Sequence, residues 1–340
     1  MPLVEAAELR DVATAVLVGA GVPDEHAKLQ ANLLLEAELR AVPSHGFLRL
    51  ERLVARIGNG VASATASGSH DWRGAGFLTV DGQNGLGPVV AEAALEAICP
   101  AAKSHGIAVA AVANSNHIGM LAYYAEAIAK GGQVGIVLTT SEALVHPFGG
   151  RQALIGTNPI AIGVPSADGP FVIDLATSLV SMGEIHDRAH RGQALPEGWA
   201  LDREGKATTD AEAAKAGAIA PFGAAKGYAL GLAFELLVTT LTGAALGRDV
   251  AGTLDADQLC NKGDVFIVVD PVSGQGEAIA RYLDLLRHAA PADGFDQVLI
   301  PGERGRALKA ERLASGVPVA DSVWTNMKRL RDAALTKRGI

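Results

Sequence analysis

The sequence predicts an α/β protein, with a strand-bearing lobe in the middle of the chain and a helical lobe built jointly by both ends. Three observations lead there. Apolar runs with strand character fall only between residues 77 and 300, helical spacing of apolar residues dominates both ends, and 340 residues exceed the usual single core.

Taken in order, helices are expected near 3–19 and 24–41. A third helix opens at Pro43 and Ser44, carries Phe47, Leu48, Leu50, Leu53, Val54 and Ile57 at roughly helical spacing, and closes at Gly58-Asn59-Gly60. Strands follow at 77–81, 107–113, 134–140, 159–164, 170–175, 264–270 and 296–300, interleaved with helices near 88–103, 119–130, 224–246 and 275–290. Helices near 304–315 and 319–337 end the chain. The expected division is a helical lobe from 1–72 with 304–340 and an α/β lobe from 73–303, with the site between them. Gly192 to Gly217 reads as a long surface excursion in which Thr208-Thr209-Asp210 opens a short helix.

Composition excludes several function classes. A formal charge of −8 with 4% aromatic residues offers neither the basic stripe nor the stacking platform that nucleic acid requires. Cys99 and Cys260 form no metal-ligand spacing and no disulfide framework, so no metal site is expected and a reducing cytoplasm is the economical location. The first residues, Met1-Pro2-Leu3-Val4-Glu5, carry no basic region or secretory apolar core. Gly227 to Gly247 approaches the length of a membrane span. Glu235 at its centre costs a few kcal/mol in lipid, and no basic cluster flanks it, so a buried helix of a soluble protein is expected.

The chemistry-bearing motifs begin at Ser44-His45-Gly46-Phe47-Leu48-Arg49. On one helix His45 and Arg49 lie a turn apart on a shared face, where a guanidinium grips a small carboxylate and an imidazole exchanges a proton near neutral pH. The competing reading is a surface helix with a capping serine and a solvated arginine; the string Ser104-His105-Gly106 shows how short the motif is. Asn114 to Met120 follows a strand and precedes a helix, placing His117 where α/β proteins receive ligands, or else ordering it between Asn114 and Asn116. His146 to Arg151 leads to Gly156-Thr157-Asn158-Pro159, which allows close backbone approach and offers the Thr157 hydroxyl, or simply turns the chain.

In Pro221 to Gly227, Lys226 stands in the first turn of a long helix and opposes its macrodipole unless an anion binds there. A solvated surface lysine is the alternative. Pro301 to Arg306 ends a strand and begins a helix with two arginines that could complete a dinucleotide phosphate site. Gly82-Gln83-Asn84-Gly85-Leu86-Gly87 has the wrong glycine spacing for the dinucleotide fingerprint, so a nicotinamide cofactor requires a non-Rossmann mode.

Seven collinear strings, SHGFLRL, NSNHIGM, GTNPIAIGVP, FVIDLATS, PEGWALDREG, GAAKGYALGL and PGERGR, resemble the type-2 malate/L-lactate dehydrogenase family over nearly the whole chain. The resemblance implies an α/β fold with a non-Rossmann, mixed-sheet NAD(P)-binding lobe, hydride transfer between a small 2-hydroxy acid and its 2-oxo acid, NAD(H) or NADP(H) undecided, and a homodimer. It implies His45 as the proton-transfer group with Ser44 in a relay, Arg49 as carboxylate ligand and Thr157 as a substrate contact. His117 competes for the acid/base role and also belongs to a cofactor strip with Ile118, Gly119, Met120 and Leu121. Leu175, Ala176, Thr177, Lys226, Gly227, Gly302, Glu303, Arg304 and Arg306 are the further implied cofactor contacts. The family also contains cyclic imino acid reductases, in which an acid after the Ala-Thr-Ser turn completes the relay; Glu184 is the nearest candidate, with Asp187 close by, and Met182-Gly183 departs from the imine-reductase pattern. A non-enzymatic binding protein is the remaining alternative.

Overall fold

The computed structural model describes residues 1–272 and 274–338. Strand β1 (Leu3–Val4) leads into helices α1 (Ala6–Gly19), α2 (Asp24–Leu39) and α3 (Leu50–Gly58). Next come β2 (Ser69–Trp72), β3 (Phe77–Asp81), α4 (Gly87–His105), β4 (Ile107–Ala113), α5 (Ala122–Lys130), β5 (Val134–Thr139), β6 (Ile160–Val164) and β7 (Phe171–Leu175). The excursion holds α6 (Met182–His190), β8 (Ala200–Leu201), β9 (Ala207–Thr208), α7 (Ala211–Ala214) and β10 (Ala218–Ile219). Helix α8 (Ala225–Thr242), β11 (Asp264–Val269), α9 (Gly276–Arg287), α10 (Glu303–Ser315), β12 (Val317–Pro318) and α11 (Asp321–Arg338) complete the chain.

The main sheet is mixed, in the order β2-β3-β4-β11-β5-β6-β7. β3 and β4 run parallel, and α4 provides the crossover that a parallel pair needs. Strand β11 inserts antiparallel between β4 and β5, which explains its nearly continuous apolar run: Val265, Phe266 and Val268 are buried. Under α4 and α5 the core contains Leu78, Val80, Ile98, Tyr124, Val137 and Phe266. A second core joins the chain ends, with Leu9 and Val16 of α1, Leu34 of α2, Phe47, Leu50 of α3 and Met327 of α11. The short pair β1-β12 ties the two ends together.

Two expectations are corrected. Residues 296–300 form no strand: Leu299 faces solvent, Ile300 is buried, and the segment ends on the Ile300 N–H, which donates to Glu303 Oε2 at 3.1 Å. Among the described residues the main sheet ends at β2 and β7, and this segment pairs with neither. Nor does one helix carry both His45 and Arg49. Residues Pro43–His45 and Phe47–Arg49 are single 3-10 turns separated by an extended Gly46 (φ −91, ψ −152), and α3 begins only at Leu50. The break follows from the Phe47 N–H, which leaves the helical ladder to bond Glu38 Oε1 at 3.0 Å. In the excursion, Asp210 does cap α7, its side chain accepting from the N–H groups of Glu212 and Ala213.

Candidate active site

The broken helix still brings its chemistry together. Arg49 Nε donates to the Ser44 carbonyl at 2.7 Å, folding the guanidinium back over the first turn, and Ser44 Oγ lies 3.0 Å from His45 Nδ1. The ring of His45 is 5.3 Å from that of His117, inclined by 36°. His117 Nδ1 accepts the Gly119 N–H at 3.0 Å, so its neutral form carries the proton on Nε2. One cavity is lined by His45, Arg49 and His117 with Leu33, Leu34 and Leu53 on its apolar side.

The cavity favours neutral imidazoles. Loss of hydration, and then Arg49, pull His45 down to about 3. His117 is also driven well below its ordinary range, by loss of hydration first and then by Arg49, His45, Lys262 and Arg52. Arg49 itself falls to about 10 through loss of hydration and the neighbouring Arg52, opposed by Glu142. A carboxylate entering beside Arg49 offsets part of this positive field.

His117 is fixed by the glycine segment that fails as a dinucleotide fingerprint. A Cβ on Gly87 would lie 2.3 Å from the His117 carbonyl oxygen, and Asn116 Nδ2 donates to the carbonyls of Asn84 (2.6 Å) and Gly85 (2.9 Å). Arg56, buried in α3, donates through Nε to Asn116 Oδ1 at 2.9 Å. Arg52, Arg56, Gln30 and Thr253 complete the cavity wall, and sequence reading missed them. Two of these had a visible signal: 49, 52 and 56 share a helical face.

Thr157 lies at the sheet end, its hydroxyl 3.1 Å from Ser141 Oγ and its carbonyl accepting the N–H and hydroxyl of Thr177, each at 2.8 Å. Glu235 explains why this turn holds. Its buried carboxylate accepts from Gly156 N (3.1 Å), Asn158 Nδ2 (2.6 Å) and Gly247 N (2.6 Å), so the charge in the middle of α8 serves as a bracket for loops. No helix among the described residues is long and apolar enough to cross a membrane.

The segments expected to touch a cofactor converge on β7. Asp174 Oδ2 accepts the Ala122 N–H at 2.8 Å, holding the first residue of α5 and with it the end of the strip Ile118, Met120 and Leu121. Beyond Leu175 and Ala176, the Thr177 carbonyl accepts the Phe222 N–H, and Gly227 approaches the Phe222 carbonyl so closely that a Cβ would lie 1.7 Å from its oxygen. Lys226 is exposed in the first turn of α8, its side chain with no ion pair or hydrogen bond among the described residues. On the other side, a Cβ on Gly302 would meet the Val172 carbonyl oxygen at 2.5 Å, and Arg306 Nη1 donates to the Pro170 carbonyl. Glu303 pairs with Arg287, while Arg304 is exposed. Glu184 stands apart: Gly183 packs against Ser44, but the Glu184 carboxylate turns along its own helix to Arg188 Nε at 2.9 Å.

Known proteins share this architecture. A dehydrogenase structure from Sinorhizobium meliloti superimposes with a TM-score of 0.93 at 54% identity, covering 97% of this chain and 98% of that one. The L-sulfolactate dehydrogenase of Methanocaldococcus jannaschii is 35% identical over 93% of this chain and 92% of its own. A Δ1-pyrroline-2-carboxylate reductase from Ancylobacter novellus is 33% identical over 95% of this chain and 96% of its own. The family model for malate/L-lactate dehydrogenase matches residues 4–328, and the chain belongs to that family.

Proposed function

We propose that this protein is an NAD(P)-dependent dehydrogenase that interconverts a small 2-hydroxy acid and its 2-oxo acid. The observation that carries the reading is the convergence of Ser44, His45, Arg49 and His117 on one cavity. The residues present fit a dinucleotide: the Lys226 side chain stands in the first turn of α8 with no ion pair or hydrogen bond among the described residues, and Ser178 Oγ is buried without a hydrogen-bond partner among them. Lys226, Gly227, the turn Leu175 to Thr177, the strip His117 to Leu121 and the stretch Gly302 to Arg306 would hold it. When bound, the nicotinamide supplies or takes the hydride.

The chain's own residues do the rest. Arg49 grips the substrate carboxylate and sets the reacting carbon, and that orientation lowers the barrier by several kcal/mol. We assign the proton at the substrate oxygen to His45, whose ring is oriented by Ser44 Oγ at 3.0 Å from Nδ1, whereas His117 Nδ1 is already engaged by the Gly119 N–H. His117 acts as a neutral Nε2–H donor to the same oxygen. Leu33, Leu34 and Leu53 exclude water.

The cyclic imino acid reductase reading needs an acid for its relay, and Glu184 engages Arg188 instead. We further propose a cytoplasmic homodimer in which the outer face of α8 pairs with a second copy; Leu230, Leu236 and Leu237 leave that face exposed and apolar. The two cores support a helical lobe from both chain ends and an α/β lobe between them, which begins at Ser69 rather than at 73 because β2 is an edge of the main sheet. The test is oxidation of NADH and NADPH with oxaloacetate, pyruvate, sulfopyruvate, 2,3-diketogulonate, oxalurate and cyclic imino acids. Turnover of a 2-oxo acid upholds the assignment; turnover confined to cyclic imines transfers it to the reductase reading. Failure of both cofactors to turn over any substrate or raise the melting temperature leaves the binding-protein reading. Light scattering at monomer mass would remove the dimer.

A further inference from the structure

The segment Ser44 to Arg49 has little regular structure to hold it, being two single turns about an extended glycine. Its backbone nevertheless fixes the direction of both His45 and Arg49. One polar contact crosses from α2 into the middle of it: Glu38 Oε1 accepts the Phe47 N–H at 3.0 Å. Glu38 is only 5% exposed, so water offers no substitute acceptor. Gly46 lies flat against the same carboxylate, where a Cβ would sit 2.1 Å from Oε1 and 2.6 Å from Cδ. The Phe47 ring is buried 2% exposed among Leu34, Leu50 and their neighbours, so the chain is pinned on both sides of Gly46. The end of α2 is fixed in turn by Arg312 of α10, whose Nη1 donates to the Glu38 carbonyl.

We propose that Glu38 is a positioning residue for the reaction: it holds the His45-Gly46-Phe47 backbone so that imidazole and guanidinium face one cavity. It touches neither of the reacting atoms. The proposal rests on the functional reading given above for His45 and Arg49. A displacement of about 1 Å at such a site costs on the order of a hundredfold in rate. Burial raises the Glu38 carboxyl to about 7, against the opposing effects of the Phe47 N–H and Arg312, so an uncharged acceptor of the same length can do the same work.

The experiment compares Glu38→Gln, which keeps the acceptor, with Glu38→Asp, which withdraws it by one methylene, and Glu38→Leu, which removes it. Hydrogen exchange at the Phe47 amide, kcat, KM and NADH affinity are measured on the full chain. The Gln variant is expected to stay within about threefold of the parent in kcat. The Asp and Leu variants are expected to lose about ten- to a hundredfold in kcat, with at least tenfold faster exchange at Phe47 and unchanged NADH affinity. Should Leu fail to fold, Asp decides. Unaltered exchange at Phe47, wild-type kcat in the Asp variant, or loss of kcat and NADH affinity in proportion overturns the proposal. The exchange measurement reads the tether even if the parent enzyme turned over no substrate, an outcome that would fall on the functional reading alone.

Discussion

Exchanging Arg49 for lysine separates grip from charge. The arginine spends Nε on the Ser44 carbonyl at 2.7 Å, and its Nη1 lies 3.5 Å from the Thr253 carbonyl, which leaves the outer edge of the fork for a substrate carboxylate. Lysine keeps the positive charge but has one nitrogen, so it cannot hold the Ser44 carbonyl and two carboxylate oxygens together. The loss is about one charge-assisted hydrogen bond, roughly 1.5 to 3 kcal/mol. That corresponds to an increase in KM of about ten- to 150-fold. Lysine keeps the charge that places the carboxylate, so most of the orienting effect survives and the lost hydrogen bond weakens ground and transition states alike; kcat should fall much less than kcat/KM. Steady-state kinetics with the best 2-oxo acid at saturating cofactor provide the assay. A KM within twofold of the parent would remove Arg49 from the substrate site, and a collapse of kcat at constant KM would mean that it orients rather than binds.

Three further outcomes are expected. His45→Ala should lower kcat more than His117→Ala, read from single-turnover rates; the reverse order gives the acid/base role to His117. Glu235→Leu leaves three donors without their buried acceptor and should cost about 3 to 6 kcal/mol, lowering Tm by roughly 4 to 8 °C in thermal unfolding; an unchanged Tm would show that the bracket is dispensable. The raised carboxyl of Glu38 means that the folded state binds extra protons from about pH 4.5 to 7, so its contribution to stability is present at low pH and is lost as pH rises through that window. Relative to Glu38→Gln, the parent should therefore lose stability from about pH 4.5 to 7 in denaturant titrations, and parallel curves would refute the assignment.

Much of this molecule was legible in one dimension. The strands at 77–81 and 107–113 carried their own apolar signal, and the run at 264–270 announced burial on both faces, as an inserted central strand requires. The strands that escaped notice, β1, β2, β12 and the excursion's small sheet, are two to four residues long, too short for any period to register, and the polar helix α6 also went unread. The strand expected at 296–300 shows the opposite error: its composition was suitable, yet composition does not decide whether a segment lies alongside a sheet edge, and this one pairs with neither β2 nor β7.

At the site, residue types alone singled out Ser44, His45, Arg49, His117, Thr157 and Lys226, since a proton-transfer group, a fixed cation or an unpaired first-turn lysine stands out against the solvated background. The sequence determined which groups are available and that no Rossmann fingerprint holds the cofactor. Tertiary structure decided how they face one another: that Gly46 breaks the expected helix while Arg49 folds back to Ser44, that the decoy glycines brace His117, and that Glu38 and Glu235 point inward. Such choices depend on which buried donor lies within about 3 Å of which acceptor, a distance between segments far apart in the chain that no local pattern encodes.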